Sequence, residues 1–346
     1  MLMNTTESDR NFAEYASVVS AGRLVFYFLS LFVGVSGNCM VLLVILSESK
    51  RVKINDIYII NLAVSDMTFL VVRLPVKIYQ DMKSMQESLF FCKMISPTVT
   101  ITVSVSIFTM SCMAVHRCKV ILNPLRMVNR RRFAFLLLAF VWVLAFLVAL
   151  PFTIVSRPNE SGRCTENWPS FRYQQVYTVF LFVAQYLLPL FIIAVAYLTI
   201  SHDLMSYKTK RNSFLRRQEN VQVIKTLTAI VILFAIFMLP NHIAWLILDF
   251  AYNRETAEKI FSFSDILMYF HACVNPIVYG TITRRFRRKY VRYLCCLVSC
   301  WKLLLPSCCP SMLSCYCSCQ FAPSSNVKHR RICKNFCKEK VPETEV

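Results

Sequence analysis

The chain has 346 residues, of which 56% are hydrophobic, and its mean hydropathy is +0.49. Only 17% of the residues are charged, against about 25% in an average soluble protein, and only five are glycines. This composition argues against a soluble domain and against a glycine-rich nucleotide-binding fold, and it favours a membrane protein.

Seven apolar stretches recur along the chain, each about as long as a membrane-spanning helix needs to be. They cover residues 24–46, 57–79, 90–122, 134–155, 176–200, 221–248 and 260–282. The first is too long for the apolar part of a signal peptide and follows mostly polar residues, so we predict that it stays as an anchor. The predicted fold class is an all-α membrane protein, a seven-transmembrane helix bundle over residues 24–282.

The net charge of +20 is distributed unevenly between the loops. Lysines and arginines are concentrated after the first, third, fifth and seventh stretches, whereas the alternate loops mix acidic and basic residues. The positive-inside rule then makes residues 1–23 an extracellular tail and places the C-terminus in the cytosol. Basic cytosolic loops account for the charge, so we expect a lipid bilayer and not nucleic acid as the surrounding partner.

Sequons and two cysteines agree with this orientation. Asn4 and Asn159 each begin an N-x-[ST] sequon in a segment predicted to be extracellular, and they are candidate glycosylation sites. Cys92, at the outer start of the third stretch, and Cys164, in the second outer loop, both face an oxidising compartment. We therefore predict a disulfide between them.

Ten of the sixteen cysteines lie between positions 295 and 337. They follow the basic stretch RRFRRKYVRYL, which predicts a short amphipathic helix over residues 283–296 on an anionic inner leaflet. Palmitoylation of Cys295 and Cys296 is the favoured interpretation. A zinc site in the cysteine-rich cytoplasmic tail, residues 297–346, is the alternative, but the repeated C-x₂-C pair of such sites is absent.

Several polar residues fall inside the apolar stretches, where such groups are costly and usually functional. Asp66, Ser106 and Asn275 would meet if their helices converge, and Asn38 would lie close to them. We predict a sodium site at Asp66, Ser106 and Asn275 as an allosteric or structural ion, with no other cofactor. A hydrogen-bonded knot that only orders the packing is the alternative interpretation.

Together these features resemble a rhodopsin-like (class A) G-protein-coupled receptor over about residues 24–296. The resemblance rests on the order of several short motifs, namely Gly37-Asn38, NLAVSD at Asn61–Asp66, Cys92, Arg117, Trp142, Pro189, Tyr197, Pro240 and NPIVY at Asn275–Tyr279. It implies a plasma-membrane receptor, not an enzyme, that activates a heterotrimeric G protein and has arrestin as a further expected partner.

The resemblance also assigns roles to inner residues. Ile107, Pro189 and Phe234 match the connector that relays agonist binding, and Tyr197 and Tyr279 match the inner tyrosines that bridge through water in active states. Arg117 matches the arginine that contacts the G protein, but His116 stands where the family has an acid. This departure predicts a loosened resting state; alternatively, His116 simply faces lipid headgroups or the second inner loop.

The outer half of the bundle indicates the kind of ligand. Val99 occupies the position of the aspartate of amine receptors, and no lysine for retinal lies between Phe261 and Ile282. Charge lies elsewhere, at Arg73 and Lys77. These two residues suit a carboxylated lipid or metabolite, or they reach the outer interface by snorkelling. A transporter, the alternative from another class, would need paired repeats that are not visible here.

The preferred interpretation is a neuropeptide receptor, because LPNHIAWLILDF is similar to the end of the sixth span in such receptors. We predict that Asp249 pairs with the arginine of a peptide that ends in a basic–aromatic pair. The aromatic residue would then lie among Phe180, Met238 and Tyr269, below His242. The alternative is that Asp249 is an ordinary solvated acid at a helix end.

Overall fold

The structure is a computed structural model that describes residues 7–47, 53–82, 86–122, 131–206 and 214–304. Side chains are described for residues 21–47, 53–82, 86–122, 131–203 and 224–295. Asn4, the Cys296 side chain and the cysteines beyond it lie outside these ranges. Glycosylation at Asn4 and the choice between acylation and zinc in the tail therefore stay predictions.

The described part of the chain is almost entirely helical. Its α-helices are α1 (Glu7–Leu46), α2 (Ile54–Met82), α3 (Thr98–Leu122), α4 (Arg131–Val155), α5 (Phe171–Phe182), α6 (Leu188–Ser206), α7 (Phe214–Leu246), α8 (Arg254–Ile282) and α9 (Arg284–Leu304). Three π-helical segments accompany them: π1 (Phe91–Ile95), π2 (Val183–Leu187) and π3 (Ile247–Ala251).

Within the described ranges, six helical segments are long and apolar enough to cross a membrane. They are Ala21–Leu46, Ile54–Met82, Phe91–Leu122, Arg131–Val155, Phe171–Asp203 and Ile224–Ala251, which we call spans one to six. The count reaches seven when α8 is taken together with the helix that follows it. The polar side chains that α8 buries, among them His271 and Asn275, lower its apolar character. We call α8 span seven.

Two helix bounds differ most from the sequence prediction. α1 begins at Glu7, well before residue 24, so much of the predicted tail is helical. α9 continues to Leu304, past the predicted end at residue 296. Both helices are longer than predicted because no helix-breaking residue stops them at the predicted bounds. α1 contains no proline, and the first proline after α9 begins is Pro306.

The first unit of the structure, residues 1–282, contains the bundle. α1 packs on α2 and α8, α2 packs on α3, α3 packs on α4 and α6, and α7 packs on α8. Gly34 marks the close approach of these helices, because a Cβ there would lie 2.3 Å from Leu70 Cδ1 and 2.9 Å from Cys273 Sγ. α9 belongs to the second unit and is a strongly amphipathic helix.

The NLAVSD motif joins three spans near the middle of the bundle. The Asn61 side chain donates to Thr109 Oγ1 at 2.8 Å and accepts from Trp142 Nε1 at 2.9 Å. On the opposite side, the Asn38 amide donates to the carbonyl oxygens of Gly34 and Ala272. These bonds satisfy polar groups that the bilayer could not solvate, and they fix the order of the helices.

A two-stranded antiparallel hairpin, β1 (Ser156–Pro158) and β2 (Cys164–Glu166), follows span four. The predicted disulfide is confirmed: Cys92 in π1 is bonded to Cys164 in β2, with a Cα–Cα distance of 5.5 Å. Glu87 adds a second tie, because its carboxylate accepts from the Cys164 backbone N–H. Both contacts hold the hairpin against the start of span three.

Each π-helical segment carries a polar side chain that reaches a neighbouring helix. In π1, Lys93 Nζ donates to the carbonyl oxygens of Thr153 and Ile154 at the end of α4. In π2, Gln185 Nε2 donates to Ser104 Oγ at 2.7 Å. In π3, Asp249 accepts from α5. A π turn holds one more residue than an α turn, so each segment changes the direction in which its own side chains point relative to those of the adjoining α-helix.

Candidate functional site

A cavity of about 370 Å³ opens among spans two to seven, and the end of the hairpin also lines it. This volume lies in the range of small-molecule and peptide-end sites. Residues from all these elements line it, including Arg73, Val99, Thr100, Glu166, Thr178, Gln185, Met238, His242, Trp245, Asp265 and Met268. Of the residues predicted to bind ligand, Arg73, Val99 and His242 line this cavity.

The charges around the cavity are mixed in sign. Asp265 pairs with Lys77 at 3.3 Å, so much of its charge is compensated. Glu166, at the end of β2, accepts from Trp168 Nε1 at 2.6 Å. Burial raises the pKa of Glu166, the neighbouring Asp249 carboxylate raises it further, and the bond from Trp168 opposes both. No ion pair joins Arg73 or Glu166 to any other described residue.

Lys77 is not among the residues that line the cavity, in contrast to the prediction for it. Its ammonium group is engaged by Asp265, and about a quarter of the side chain is exposed. The pair of cations expected to hold a carboxylated ligand is therefore reduced to Arg73 alone. The alternative interpretation was that Lys77 reaches the outer interface by snorkelling. In the structure its ammonium group contacts Asp265 of span seven.

Asp249 is placed differently from both interpretations of the sequence. It is only 1% exposed, which rules out a solvated acid, and it does not line the cavity. One carboxylate oxygen accepts from Gln174 Nε2 at 2.9 Å and the other from Thr178 Oγ1 at 2.5 Å. Since Asp249 lies in π3, the extra residue of that turn rotates it towards α5. Asp249 therefore holds π3 against α5, and α5 contributes Thr178 to the cavity wall.

The predicted pocket for an aromatic ligand side chain is only partly formed. Met238 lines the cavity, but Tyr269 is fully buried between the rings of Tyr27 and Phe69, at 5.5 Å from each. Phe180 is 45% exposed and packs on Tyr177. Tyr269 therefore belongs to the packing of spans one, two and seven, and Phe180 faces away from the cavity.

The three residues predicted to hold sodium lie together. The Asn275 amide donates to Asp66 Oδ2 at 2.7 Å, and the Ser106 hydroxyl donates to Ser65 Oγ at 3.2 Å. Asp66 and Ser106 line a second cavity of about 20 Å³, which has room for one water molecule or a small ion. His271 lines it too, and its Nε2 has no hydrogen-bond partner among the described residues.

The predicted connector residues are buried in the bundle core, and one of them lines this small cavity. Ile107 and Phe234 have no exposed surface, and Pro189 is buried just after π2. Phe234 lines the small cavity and meets the His271 ring edge to face at 5.4 Å. Met238, one turn further along α7, lines both cavities. The two cavities therefore share Met238 in their walls.

At the inner end of span three, Arg117 turns towards span two. Its Nε donates to Asn55 Oδ1 at 3.0 Å, and it interacts electrostatically with Asp56 and Tyr197. The His116 ring is partly buried and lies 5.6 Å from that of Tyr58 in span two. Tyr279 is 3% exposed.

Sequence reasoning missed Glu166, Asp265 and Asn55. Glu166 follows the disulfide cysteine by two residues, so the fixed hairpin was a signal that could have identified it. Asp265 and Asn55 gave none, because their importance depends on which neighbouring helix each one faces.

Comparison with known proteins agrees with this geometry. Residues 37–279 match the family described as "7 transmembrane receptor (rhodopsin family)". The chain is 31% identical to galanin receptor type 1 of Rattus norvegicus over 288 residues, which cover 80% of this chain and 82% of that one. It is 28% identical to the pyroglutamylated RF-amide peptide receptor of Mus musculus, with coverage of 80% and 70%.

A third relative is somatostatin receptor type 4 of Rattus norvegicus, 28% identical over 276 residues that cover 78% of this chain and 71% of the relative. The family match spans more than half of the sequence and coincides with the helical bundle. Its members are receptors, not enzymes. This chain belongs to the rhodopsin family of seven-transmembrane receptors.

Proposed function

We propose that this chain is a plasma-membrane receptor that binds a peptide agonist in the large cavity and then activates a heterotrimeric G protein. The observation that carries the proposal is the lining of that cavity, where Arg73 and Glu166 supply opposite charges between apolar walls. A peptide end offers a cationic group, carbonyl oxygens and apolar side chains together. The galanin, somatostatin and RF-amide receptors, whose names are those of peptide receptors, support the same class.

A carboxylated lipid or metabolite is less compatible with the cavity. The Lys77 ammonium group is paired with Asp265, so Arg73 remains as the cation for an anionic ligand. Glu166 would repel such a ligand or would have to bind a proton. A cationic ligand group facing Glu166 and a carbonyl group facing Arg73 would instead meet complementary charges.

The orientation in the membrane follows from the same proposal. The hairpin and the mouth of the large cavity face outwards, residues before span one are extracellular, and Arg117 lies at the cytosolic side. Arg117 then contacts the G protein, with Tyr197 and Tyr279 as inner switch residues, and arrestin is a further cytosolic partner. Acylation of Cys295 and Cys296 would attach α9 to the inner leaflet.

We further propose sodium as an allosteric ion at Asp66. The small cavity suits it, because a carboxylate oxygen of Asp66 and the oxygen of Ser106 both line a space of about 20 Å³. Asn275 would hold the carboxylate in place through its amide. Bound sodium would supply positive charge beside Asp66 in a site that has no lysine or arginine in its lining.

A screen of a synthetic peptide library on cells that express the chain tests the proposal, with calcium and cyclic AMP as readouts. We expect active peptides to carry a basic residue near one end. The matched variants Glu166→Gln and Arg73→Gln, at equal surface expression, should each lower potency by about tenfold or more. Each removes the receptor charge that faces a polar or charged group of the bound peptide and leaves that group unmatched. Responses to carboxylated lipids that need Arg73 but not Glu166 would contradict the peptide assignment.

A further inference from the structure

The side chain of Arg117 is held by the start of span two. The bond from its Nε to Asn55 Oδ1, at 3.0 Å, joins residues that are 62 positions apart in the sequence. The next residue, Asp56, is 4% exposed, and its carboxylate interacts with the Arg117 charge. Because a hydrogen bond from a charged donor is stronger than a neutral one, this contact gives the guanidinium group a defined orientation.

The residue beside Arg117 in sequence does not contribute to this restraint. An imidazole ring carries no negative charge, and the His116 ring packs towards Tyr58 of span two. No hydrogen bond to His116 Nδ1 is found within the described ranges. The negative charge and the hydrogen-bond acceptor that Arg117 meets therefore come from Asp56 and Asn55.

We propose that Asn55 and Asp56 are positioning residues that hold Arg117 in the resting receptor and restrain its coupling to the G protein. The inference rests on the proposed function, in which Arg117 is the G-protein contact. It reverses the expectation from the sequence that the resting state is loose because position 116 lacks an acid. Span two supplies the restraint instead of the neighbouring residue.

The size of the effect follows from what activation must break. Arg117 cannot reach a bound G protein while its guanidinium group is turned to Asn55, so the bond is present in the resting state and absent in the coupled state. Loss of a charge-assisted hydrogen bond shifts such an equilibrium by about tenfold or more. Basal nucleotide exchange should rise by about this factor when the bond is removed.

The experiment measures agonist-free nucleotide exchange in membranes that contain the full chain and one heterotrimer from each Gα class, per receptor counted by surface label. Asn55→Leu removes the acceptor at similar size, and Asn55→Asp keeps it. We expect about a tenfold rise for Asn55→Leu, a smaller rise for Asp56→Asn, and no rise for Asn55→Asp. Asn61→Ala is the matched control, because it removes two bonds between spans but does not touch Arg117.

A rescue separates positioning from a general packing role. Introducing His116→Asp into the Asn55→Leu receptor places an acid beside Arg117 and should return basal exchange to about the wild-type level. If Asn55 only stabilised the packing of spans two and three, Asn55→Leu would lower the thermal stability of the receptor. The acid introduced by His116→Asp would then not return basal exchange to the wild-type level. Basal exchange that rises equally in Asn61→Ala would overturn the proposal in the same way.

The result also distinguishes this inference from the proposed function. If Arg117→Ala abolishes exchange in the wild-type background but Asn55→Leu leaves it unchanged, coupling is real and the restraint is wrong. If no variant and no peptide stimulates any of the heterotrimers, the proposed coupling itself fails.

Discussion

At the scale of single residues, Asp249 shows how burial changes a role. Its two carboxylate oxygens accept from Gln174 and Thr178, so the charge stabilises the join between π3 and α5. A buried acceptor whose removal leaves its donors unpaired costs about 1–3 kcal/mol for each bond lost. Asp249 is therefore a stability residue behind the cavity wall and not a contact for the peptide arginine.

We predict that Asp249→Ala lowers the thermal stability of the detergent-solubilised receptor, by about 2–4 kcal/mol in unfolding free energy. Thr178→Val should cost less, and the double variant should lose less than the sum of the two, because both remove the same bond. Differential scanning fluorimetry measures this. A large loss of peptide potency at unchanged melting temperature would restore Asp249 as a ligand contact.

Glu166 predicts a pH dependence of agonist potency. Burial raises the pKa of its carboxyl group above the value of about 4.3 that is usual for glutamate. As pH falls through this raised pKa, the carboxylate becomes neutral and can no longer pair with a cationic group. Potency of a basic peptide without acidic or histidine residues should therefore fall on acidification, and binding should in turn lower the pKa of Glu166.

The control for this prediction is Glu166→Gln, in which the amide does not titrate. Its dose–response curves should be displaced to lower potency but should stay constant between about pH 7.5 and pH 5.5. An equal decline in both receptors would assign the effect to a group other than Glu166.

At the scale of helices, spans two, three and seven converge on Asp66, and His271 makes this site unusual. This residue lines the small cavity, and its Nε2 has no hydrogen-bond partner in the described part of the bundle. Sodium prefers oxygen ligands, so an imidazole ring in the lining should lower the affinity of the site for sodium. We predict a weak effect of sodium on agonist affinity in the wild-type receptor and a larger one in His271→Asn, which offers an amide oxygen.

Radioligand or fluorescent-peptide binding in sodium chloride against choline chloride, at constant ionic strength, measures this effect. Asp66→Asn should abolish sodium sensitivity in both the wild-type and the His271→Asn background, because the carboxylate supplies the charge. Sodium sensitivity that survives in Asp66→Asn would place the ion elsewhere. Equal sensitivity of the wild type and His271→Asn would show that the histidine leaves the site unperturbed.

At the scale of the whole molecule, the sequence predicted the bundle well because the bilayer leaves few alternatives. Long apolar stretches must form helices that satisfy their own backbone groups, and loop charge sets the orientation. The disulfide was predictable because the loop charges put the start of the third apolar stretch, with Cys92, on the same side as the second outer loop, with Cys164. The sequence did not predict which way the side chains of Asp249, Tyr269 and Lys77 point. The rotation of a helix depends on packing and on π-helical turns, and composition does not show either.

The orientation of the chain also predicts modification at the hairpin. Asn159 lies in the exposed turn between β1 and β2, where Ser161 Oγ donates to its side-chain oxygen at 2.8 Å. We expect a glycan at Asn159 and a second at Asn4, so that treatment with an N-glycosidase increases gel mobility. Asn159→Gln and Ser161→Ala should each remove the same mass. Unchanged mobility of all three after treatment would contradict an extracellular hairpin.

The three π-helical segments have a consequence for how such a receptor diverges. Deleting one residue from Val183–Leu187 would convert π2 into α-helix and turn α5, which contributes Thr178 to the large cavity, by about 100° relative to α6. The inner half, with Asp66 and Arg117, would keep its register. A single codon lost or gained at this place could therefore present a new set of side chains to ligands while the signalling half stays intact. Divergence of the mouth by insertion and deletion would then be faster than by substitution, and alignments that forbid gaps within helices would misassign the residues that follow.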